Sequence, residues 1–185
     1  SRGLGDVYKR QAYIQLGVLQ KEMGNLTLAI ENHKKALGIK KTAIKAHFNL
    51  GLAYKANGDI DNAKKEQSKI LPLIDAPEIQ VIIKAGQPSD KLLEIANHLA
   101  LGQIELASMN LDASIMHFRK AVETQDALPY REPEFWYYPT RQSLGHALLV
   151  SDAFNEAVSV FNQDLKDYPR NGWSYYCLLY TSDAA

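Results

Sequence analysis

A Leu-Gly dipeptide that recurs after 34 residues constrains the fold of this chain more than any other feature. Leu16-Gly17 returns as Leu50-Gly51, and Gly24 and Ala29 return at the same spacing. The dipeptide occurs again at residues 101–102 and 144–145. A small residue stands twelve positions after each of the four glycines: Ala29, Ala63, Ser114 and Ala157. Self-similarity at a period of this length is typical of a repeat architecture, so the chain should be built from copies of one small unit.

The copies resemble the tetratricopeptide repeat (TPR), whose pattern W-x2-L-G-x2-Y…A-x3-F…P describes a helix, a tight turn and an antiparallel helix. The second copy carries the first half of the pattern, His47-x2-Leu50-Gly51-x2-Tyr54, and the fourth carries the second half, Ala157-x3-Phe161 and Pro169. The departures are Tyr13, His47, His98 and Arg141 at the Trp position, and Gln20 and Glu105 at the Tyr position. The resemblance covers nearly all of residues 12–176.

This resemblance implies an all-α fold, a right-handed α-solenoid of antiparallel helix-turn-helix hairpins. The repeats are expected at about residues 10–43, 44–77, 95–128 and 138–171. The first helices are predicted over Ala12–Met23, Thr42–Asn57, Ser89–Met109 and Phe135–Ser151. The second helices are predicted over Leu26–Ile39, Ile60–Leu71, Leu111–Thr124 and Phe154–Asp167. Residues 171–176 resemble the start of a fifth first helix.

The glycines of the dipeptides indicate close packing between helices. Glycine inside a helix costs about 0.5–1 kcal/mol relative to alanine, so a recurring one implies that another helix approaches too closely for a side chain. We expect the small residue twelve positions later to be its counterpart. Gly24 and Gly58 should end first helices with a positive φ, and Asn25 or Asp59 should begin the next helix.

Two inserts interrupt the period, at about residues 71–88 and 125–135. The first holds Pro72, Pro77, Gly86 and Pro88 around the apolar stretch Ile79–Ile83. We expect this stretch to form either a short extra helix or a buried connector. Loops inserted in a solenoid usually lie on one face and sometimes bind ligands.

The second insert leads into four consecutive aromatic residues, within Glu134-Phe135-Trp136-Tyr137-Tyr138-Pro139. Only Arg131 and Arg141 flank them, so we expect packing against the preceding hairpin rather than stacking on nucleic acid. The surrounding pattern EPxFWYYPxRQSLG is similar to a group of uncharacterised bacterial TPR proteins, a resemblance that implies no activity.

Both ends of the chain depart from the repeat pattern and match each other as DNA. Written as GAT GTG TAT AAG AGA CAG, the codons of residues 6–11 have a reverse complement that, shifted by one base, encodes residues 177–181 and begins Ser182. The outer flanks, SRGLG and SDAA, resemble the arms of a transposase-type sequencing adapter. We therefore expect residues 1–11 and 177–185 to be non-native and adapter-derived, and residues 12–176 to be a TPR-like domain from a longer protein.

Charge and composition argue against several classes of partner. The 21 basic and 21 acidic residues give a formal net charge of zero, which provides no electrostatic basis for binding nucleic acid or an anionic membrane. No apolar run approaches the ~18 residues of a membrane helix. The single cysteine, Cys177, lies in the adapter-like end, so disulfides and thiol catalysis are not expected. The chain is expected to be soluble, and cytoplasmic rather than periplasmic.

The sequence carries no motif for catalysis or for a cofactor. There is no P-loop, no G-x-G-x-x-G after a strand and no G-x-S-x-G. Asp59 and Asp61 follow Gly58 at a helix start, where capping and the helix dipole account for them. The five histidines lack the spacing of a zinc-protease helix and are expected to pack rather than bind metal: His33, His47, His98, His117 and His146. The chain is therefore predicted to be no enzyme and to hold no cofactor or metal.

First helices of a TPR array line a concave surface that usually binds peptides. The resemblance therefore implies a non-catalytic scaffold whose ligand is a protein or peptide. The positions that map to this groove are Ile14, Val18, Lys45, Phe48, Asn49, Leu52, Lys55, Leu99, Gln103, Gln142 and His146. This mixed lining favours an extended or helical segment with apolar anchors near Phe48 and Leu52.

A chaperone tail as ligand would require other side chains in the groove. TPR domains that bind such tails hold two carboxylates with Lys and Asn, then Asn, then Lys and Arg. Here those positions carry Ile14, Val18, Asn49, Ala96 and Ala100. Only Asn49 matches, so this clamp is rejected.

Two other roles remain open for this sequence. The alternative function is an accessory or regulatory array of a larger enzyme whose catalytic domain lies outside this fragment. A third is structural spacing or self-association, favoured if the truncated fifth helix normally stacks on a neighbour. Trp173, Tyr175 and Tyr176 would then be exposed at the C-terminal end.

Overall fold

Helices joined by short turns make up the chain. The computed structural model describes residues 2–136 and 138–182, and these residues form ten α-helices and one 3-10 turn, with no β-strand. They divide into two units, one ending at Leu93 and the other beginning at Glu94.

The first unit contains two helical hairpins followed by an insert. Its helices are α1 (Arg2–Glu22), α2 (Leu26–Ile39), α3 (Ile44–Ala56), α4 (Ile60–Gln67) and α5 (Pro77–Lys84), with the 3-10 turn at Leu71–Asp75. α1 packs against α2, α3 against α4, and both α1 and α2 contact α3. This pairing is the antiparallel hairpin arrangement expected from the repeat.

The second unit repeats the hairpin arrangement. It contains most of α6 (Ser89–Ala107), then α7 (Leu111–Asp126), α8 (Arg141–Val150), α9 (Phe154–Asp167) and α10 (Gly172–Ser182). α8 packs against α7 and α9, and α10 packs against α9 and α8. The buried core of this unit includes Ile95, Leu99, Phe118, Leu144, Leu148 and Phe161.

Most helix bounds agree with the expected ones, and the differences have local causes. α2 and α9 begin and end as predicted. α4 ends four residues earlier than predicted, where the 3-10 turn with Pro72 follows, since proline cannot continue a helix. α8 begins at Arg141 rather than Phe135, directly after Pro139-Thr140.

The first insert contains a short extra helix, α5. Lys40 Nζ lies 3.1 Å from Glu78 Oε1, and the Thr42 hydroxyl donates to the same oxygen at 2.8 Å. These contacts tie α5 to the turn between α2 and α3. Val81 and Ile82 of α5 are exposed, so the apolar stretch is a helix and not a buried connector.

Each dipeptide glycine lies in a first helix, and in three of the four hairpins it faces an aromatic ring. A methyl group at Gly17 would lie 2.5 Å from the His33 ring, and one at Gly102 would lie 2.5 Å from the Phe118 ring. A methyl group at Gly145 would lie even closer to the Phe161 ring. In these three hairpins the ring stands sixteen positions after the glycine, whereas at Gly51 the nearest atom is the carbonyl oxygen of Ala63, twelve positions later, as expected. The Ser114 hydroxyl likewise donates to the Gly102 carbonyl oxygen at 2.8 Å. The small residue twelve positions after the glycine, such as Ala29 or Ala157, lies in the second helix and is fully buried.

The turns within the hairpins adopt the left-handed conformation that was expected at glycine. Gly24 and Gly58 have φ of 79° and 76°. The corresponding turns of the second unit place Met109 and Asp152 at φ of 57° and 59°, which costs a side chain about 1–2 kcal/mol. After Gly58, Asp59 Oδ1 accepts the Asn62 N–H at 3.2 Å and caps α4, as predicted.

Both ends of the chain are helical up to the limits of the described residues. α1 begins at Arg2, ten residues before the predicted start, and α10 continues through Cys177, which is buried. The exposed aromatics at this end, Trp173, Tyr175 and Tyr176, are each about half exposed, at 51%, 53% and 51%. The predicted adapter origin concerns the encoding DNA and remains a prediction; Ser1 and residues 183–185 lie outside the described residues.

Alanine at Gly17 is expected to destabilise the chain, whereas alanine at Gly51 is expected to stabilise it. Gly17→Ala forces a methyl group into the buried His33 ring, and overpacking of this kind costs about 1–3 kcal/mol. At Gly51 a methyl group would meet the Ala63 carbonyl oxygen at 3.6 Å, an ordinary contact. Alanine should then add about 0.5–1 kcal/mol of helix preference. Urea unfolding of both variants measures the two signs, and equal effects at the two sites would contradict this packing scheme.

The buried His33 should make the first unit less stable in acid. Its side chain is 0% exposed, and burial followed by repulsion from Lys21 lowers its pKa to about 4. Because the unfolded pKa is near 6.5, the unfolded chain takes up this proton first, and stability falls as pH drops from about 6.5 toward 4. The loss should reach as much as ~3 kcal/mol.

His33→Phe tests this expectation, since phenylalanine occupies the equivalent place at Phe118 and Phe161. The free energy of unfolding, measured between pH 7.5 and 4.5, should depend less on pH in His33→Phe than in the unmodified chain. His146→Gln, which removes an exposed histidine, should leave the dependence unchanged. Parallel curves for His33→Phe and the unmodified chain would show that His33 does not carry the effect.

Candidate functional site

The first unit presents one stripe of groove-predicted residues along α3. Lys45, Phe48, Asn49, Leu52 and Lys55 recur at spacings of three and four residues, which places them on one face of the helix. Phe48, Asn49, Leu52 and Lys55 are half-buried and Lys45 is exposed. Val18 on α1 is also half-buried. This surface, Val18 together with the α3 stripe, is called the first-helix surface below.

Lys55 places a positive charge beside the apolar residues of the first-helix surface. Burial, and then repulsion from Lys21, lowers the pKa of Lys55. The surroundings of Lys55 therefore disfavour its positive charge relative to water. An added negative charge close by would reverse that effect.

Two residues predicted for the groove lie in the cores of their own units. Ile14 is 3% exposed and packs with Ala36, Ala43 and Ala46. Leu99 is 2% exposed and belongs to the core of the second unit. These side chains help to hold their hairpins together and offer almost no surface to a ligand.

The remaining predicted positions lie in the second unit and are polar. Gln103 of α6 and Gln142 of α8 are half-buried, and His146 of α8 is exposed. Gln142 and His146 are four residues apart and share a helix face. Leu99 is the one apolar residue among the groove positions predicted in the second unit, and it lies in the core. The predicted groove positions of this unit therefore offer no apolar anchor to a ligand.

Histidines form polar contacts inside the hairpins. His47 Nδ1 lies 2.8 Å from Glu66 Oε2, and its Nε2 lies 2.8 Å from the Lys41 carbonyl oxygen. These bonds join α3 to α4 and to the preceding turn. Contacts from Lys69 and His47 lower the pKa of Glu66, although burial alone would raise it. His47 therefore has a packing role, as expected.

A second histidine contact lies between α6 and α7. His98 Nδ1 lies 3.1 Å from His117 Nδ1, and burial is the main cause that lowers the pKa of each ring. Across residues 2–136 and 138–182, no group of three or more His, Cys, Asp or Glu side chains is placed to hold a metal ion.

The second insert, the connector between α7 and α8, is fastened at its base by side chains. The Gln125 amide donates to the Tyr138 carbonyl oxygen at 3.2 Å. Gln125 Oε1 accepts the N–H and the hydroxyl of Thr140, both at 2.7 Å. Arg141 donates to both carboxylate oxygens of Asp126, at 2.8 and 2.6 Å. The start of α8 is thus held against the end of α7.

The aromatic row of the connector is divided between the core and the surface. Trp136 and Tyr138 are partly buried and pack against the core of the second unit, which confirms the expected packing for these two residues. Phe135 lies under Arg131, whose guanidinium carbon is 4.9 Å from the ring centroid. Tyr137 lies outside the described residues.

A helix that crosses a membrane must be both long and apolar. Within the part of the chain that the structure describes, no helix is long and apolar enough to cross a membrane.

The chain resembles known repeat proteins in sequence and fold. Residues 17–58 match the family model of the TPR repeat. One solved structure, of a protein described as a kinesin light chain of Podosopora anserina, has 15% sequence identity with this chain. That structure consists of TPR-like repeats that are nearly identical to one another. The match covers 94% of this chain and 85% of that one, with a TM-score of 0.65. No relative was found among the curated proteins.

A thermophilic TPR protein of Thermus thermophilus is also similar, at 14% identity. The match covers 95% of this chain and 98% of that one, with a TM-score of 0.44. TPR folds generally serve as protein-interaction scaffolds and are typically non-catalytic. Residues 17–58 therefore carry a tetratricopeptide-repeat match, and the helical hairpins of both units have a fold like that of TPR repeats.

Proposed function

We propose that this chain is a non-catalytic scaffold that binds a peptide or protein segment on the first-helix surface of its first unit. The segment places an apolar side chain against Phe48 and Leu52 and an acidic group near Lys55. The observation that carries the proposal is the juxtaposition, on one face of α3, of half-buried apolar side chains with a lysine whose surroundings disfavour its charge.

Phe48 and Leu52 supply the apolar half of this interaction. They stand four residues apart on α3 and are half-buried, so each retains surface that a ligand can cover. Removing apolar area from water contributes about 25 cal/mol per Å², and aromatic side chains often anchor interfaces. A helix that presents such residues at spacings of three and four can pair with an extended or helical segment.

Lys55 supplies the electrostatic half. Burial and Lys21 act together to lower its pKa, so an incoming carboxylate relieves an unfavourable positive potential. Lys45 adds an exposed positive charge at the other end of the stripe. An acidic peptide therefore fits this surface better than a basic one. This preference is distinct from the chaperone-tail clamp, whose positions match only at Asn49.

Peptides selected from a random twelve-residue phage-display library against the chain should combine an apolar residue with Asp or Glu. Their affinity should fall about tenfold in Phe48→Ala, because the aromatic anchor is lost. It should fall by a similar factor in Lys55→Gln and weaken as ionic strength rises. Isothermal titration calorimetry of the selected peptides measures each change.

Leu28→Ala is the matched control, since Leu28 is an exposed leucine of the first unit on the second helix α2. Its peptide affinity should equal that of the unmodified chain. Thermal unfolding of each variant separates lost binding from lost folding. Unchanged affinity in both Phe48→Ala and Leu52→Ala, or selected peptides without acidic residues, would contradict the proposal.

A further inference from the structure

A cavity of about 210 Å³ lies between the connector and the end of α9 in the second unit. Its walls include Tyr130, Arg131, Glu134, Phe135, Trp136 and Tyr168. Four of these six side chains are aromatic, one is a carboxylate, and one, Arg131, is a guanidinium. The cavity is lined by the connector, by the end of α7 and by Tyr168, which directly follows α9, and none of the predicted groove positions lines it.

The walls are held in place from both sides. At the base of the connector, Gln125 and Arg141 make the hydrogen bonds described above. On the far side, the Tyr168 hydroxyl donates to Glu134 Oε2 at 2.9 Å. Burial and this hydrogen bond raise the pKa of Tyr168 to about 12, so its hydroxyl keeps its proton at neutral pH. Glu134 is therefore fixed beside the aromatic walls by a hydrogen bond that spans from the connector to α9.

The lining chemistry favours a positively charged occupant. The faces of aromatic rings carry negative charge density and attract ammonium and guanidinium groups, and a nearby carboxylate adds to that attraction. The chain itself shows this preference, since the Arg131 guanidinium already lies over the Phe135 ring. Besides the Phe135 ring that Arg131 covers, the rings of Trp136 and Tyr168 also line the cavity.

The size of the cavity restricts the occupant. Small-molecule sites usually measure about 300–1,000 Å³, and this cavity is smaller. A cavity of this volume can hold one long side chain of a ligand.

The geometry points to a cation-binding pocket that accepts an arginine side chain of a partner protein or peptide, with its guanidinium between the aromatic walls and Glu134. This pocket shares no residue with the first-helix surface and has the opposite charge preference. It neither requires the proposed peptide site nor is required by it.

Binding of N-acetyl-arginine amide tests the pocket directly. The probe should shift the indole N–H resonance of Trp136 in a ¹⁵N-correlated NMR spectrum, with saturation at millimolar concentration. Trp173→Phe assigns the resonance, because the chain has two tryptophans. N-acetyl-citrulline amide, which is isosteric and neutral, should bind at least fivefold more weakly.

Two substitutions test whether the cavity prefers a cation or an anion. Glu134→Gln keeps a hydrogen-bond acceptor for Tyr168 and should weaken arginine binding at least fivefold. Arg131→Gln removes the internal cation and should leave binding equal or tighter. Glu156→Gln is the matched control, because this α9 carboxylate pairs with Arg119 and does not line the cavity.

The absence of a saturable Trp136 shift would overturn the proposal, as would equal binding of the arginine and citrulline probes. Tighter binding in Glu134→Gln with weaker binding in Arg131→Gln would identify an anion site and also overturn it. If Glu134→Gln fails to fold by circular dichroism, the probe pair and Arg131→Gln still decide the question.

Discussion

The contact between a glycine face of one helix and a ring on its hairpin partner is the interaction on which the rest of this structure depends. Without a Cβ at Gly102 or Gly145, the first helix lies directly on Phe118 or Phe161, and both rings are almost fully buried. The side chains at the contact set the distance between two helices. The same glycine at the same place in each copy therefore gives hairpins of similar geometry, and the small residue twelve positions later is buried in the second helix.

The hairpins of the first unit use weaker versions of this contact. His33 takes the place of the ring and brings two nitrogens into an apolar site, where no hydrogen-bond partner is present among the described residues. In the next hairpin Gln67 takes the ring position and leaves room at Gly51. Burying the two His33 nitrogens without a partner costs free energy. The more regular apolar packing therefore lies in the second unit, around Phe118, Leu148 and Phe161.

Periodicity was sufficient to predict the hairpins, since α2 and α9 have the predicted bounds and Gly24 and Gly58 have the predicted positive φ. It was less informative about which side of a helix faces outward. Ile14 and Val18 are one turn apart, yet the first is buried and the second half-exposed, because the contacts of α2 and α3 decide this. The connector cavity was beyond prediction, since Glu134 and Tyr168 meet only through the packing of α9, and no motif joins them.

The two proposed surfaces follow from different parts of the sequence. The first-helix surface arises from the repeat itself, so its position is set by the hairpin, and only the identities of side chains such as Phe48 and Lys55 determine its ligand. The cavity arises from an insert that breaks the repeat and is fastened by Gln125, Arg141 and Tyr168. No hydrogen bond described for the connector involves Gly145 or Phe161, but Trp136 and Tyr138 pack against the core that contains Phe161, so the connector and the helix contact share apolar packing. An insert of this kind adds a binding chemistry, here a preference for cations, that the repeat positions of the first unit do not share.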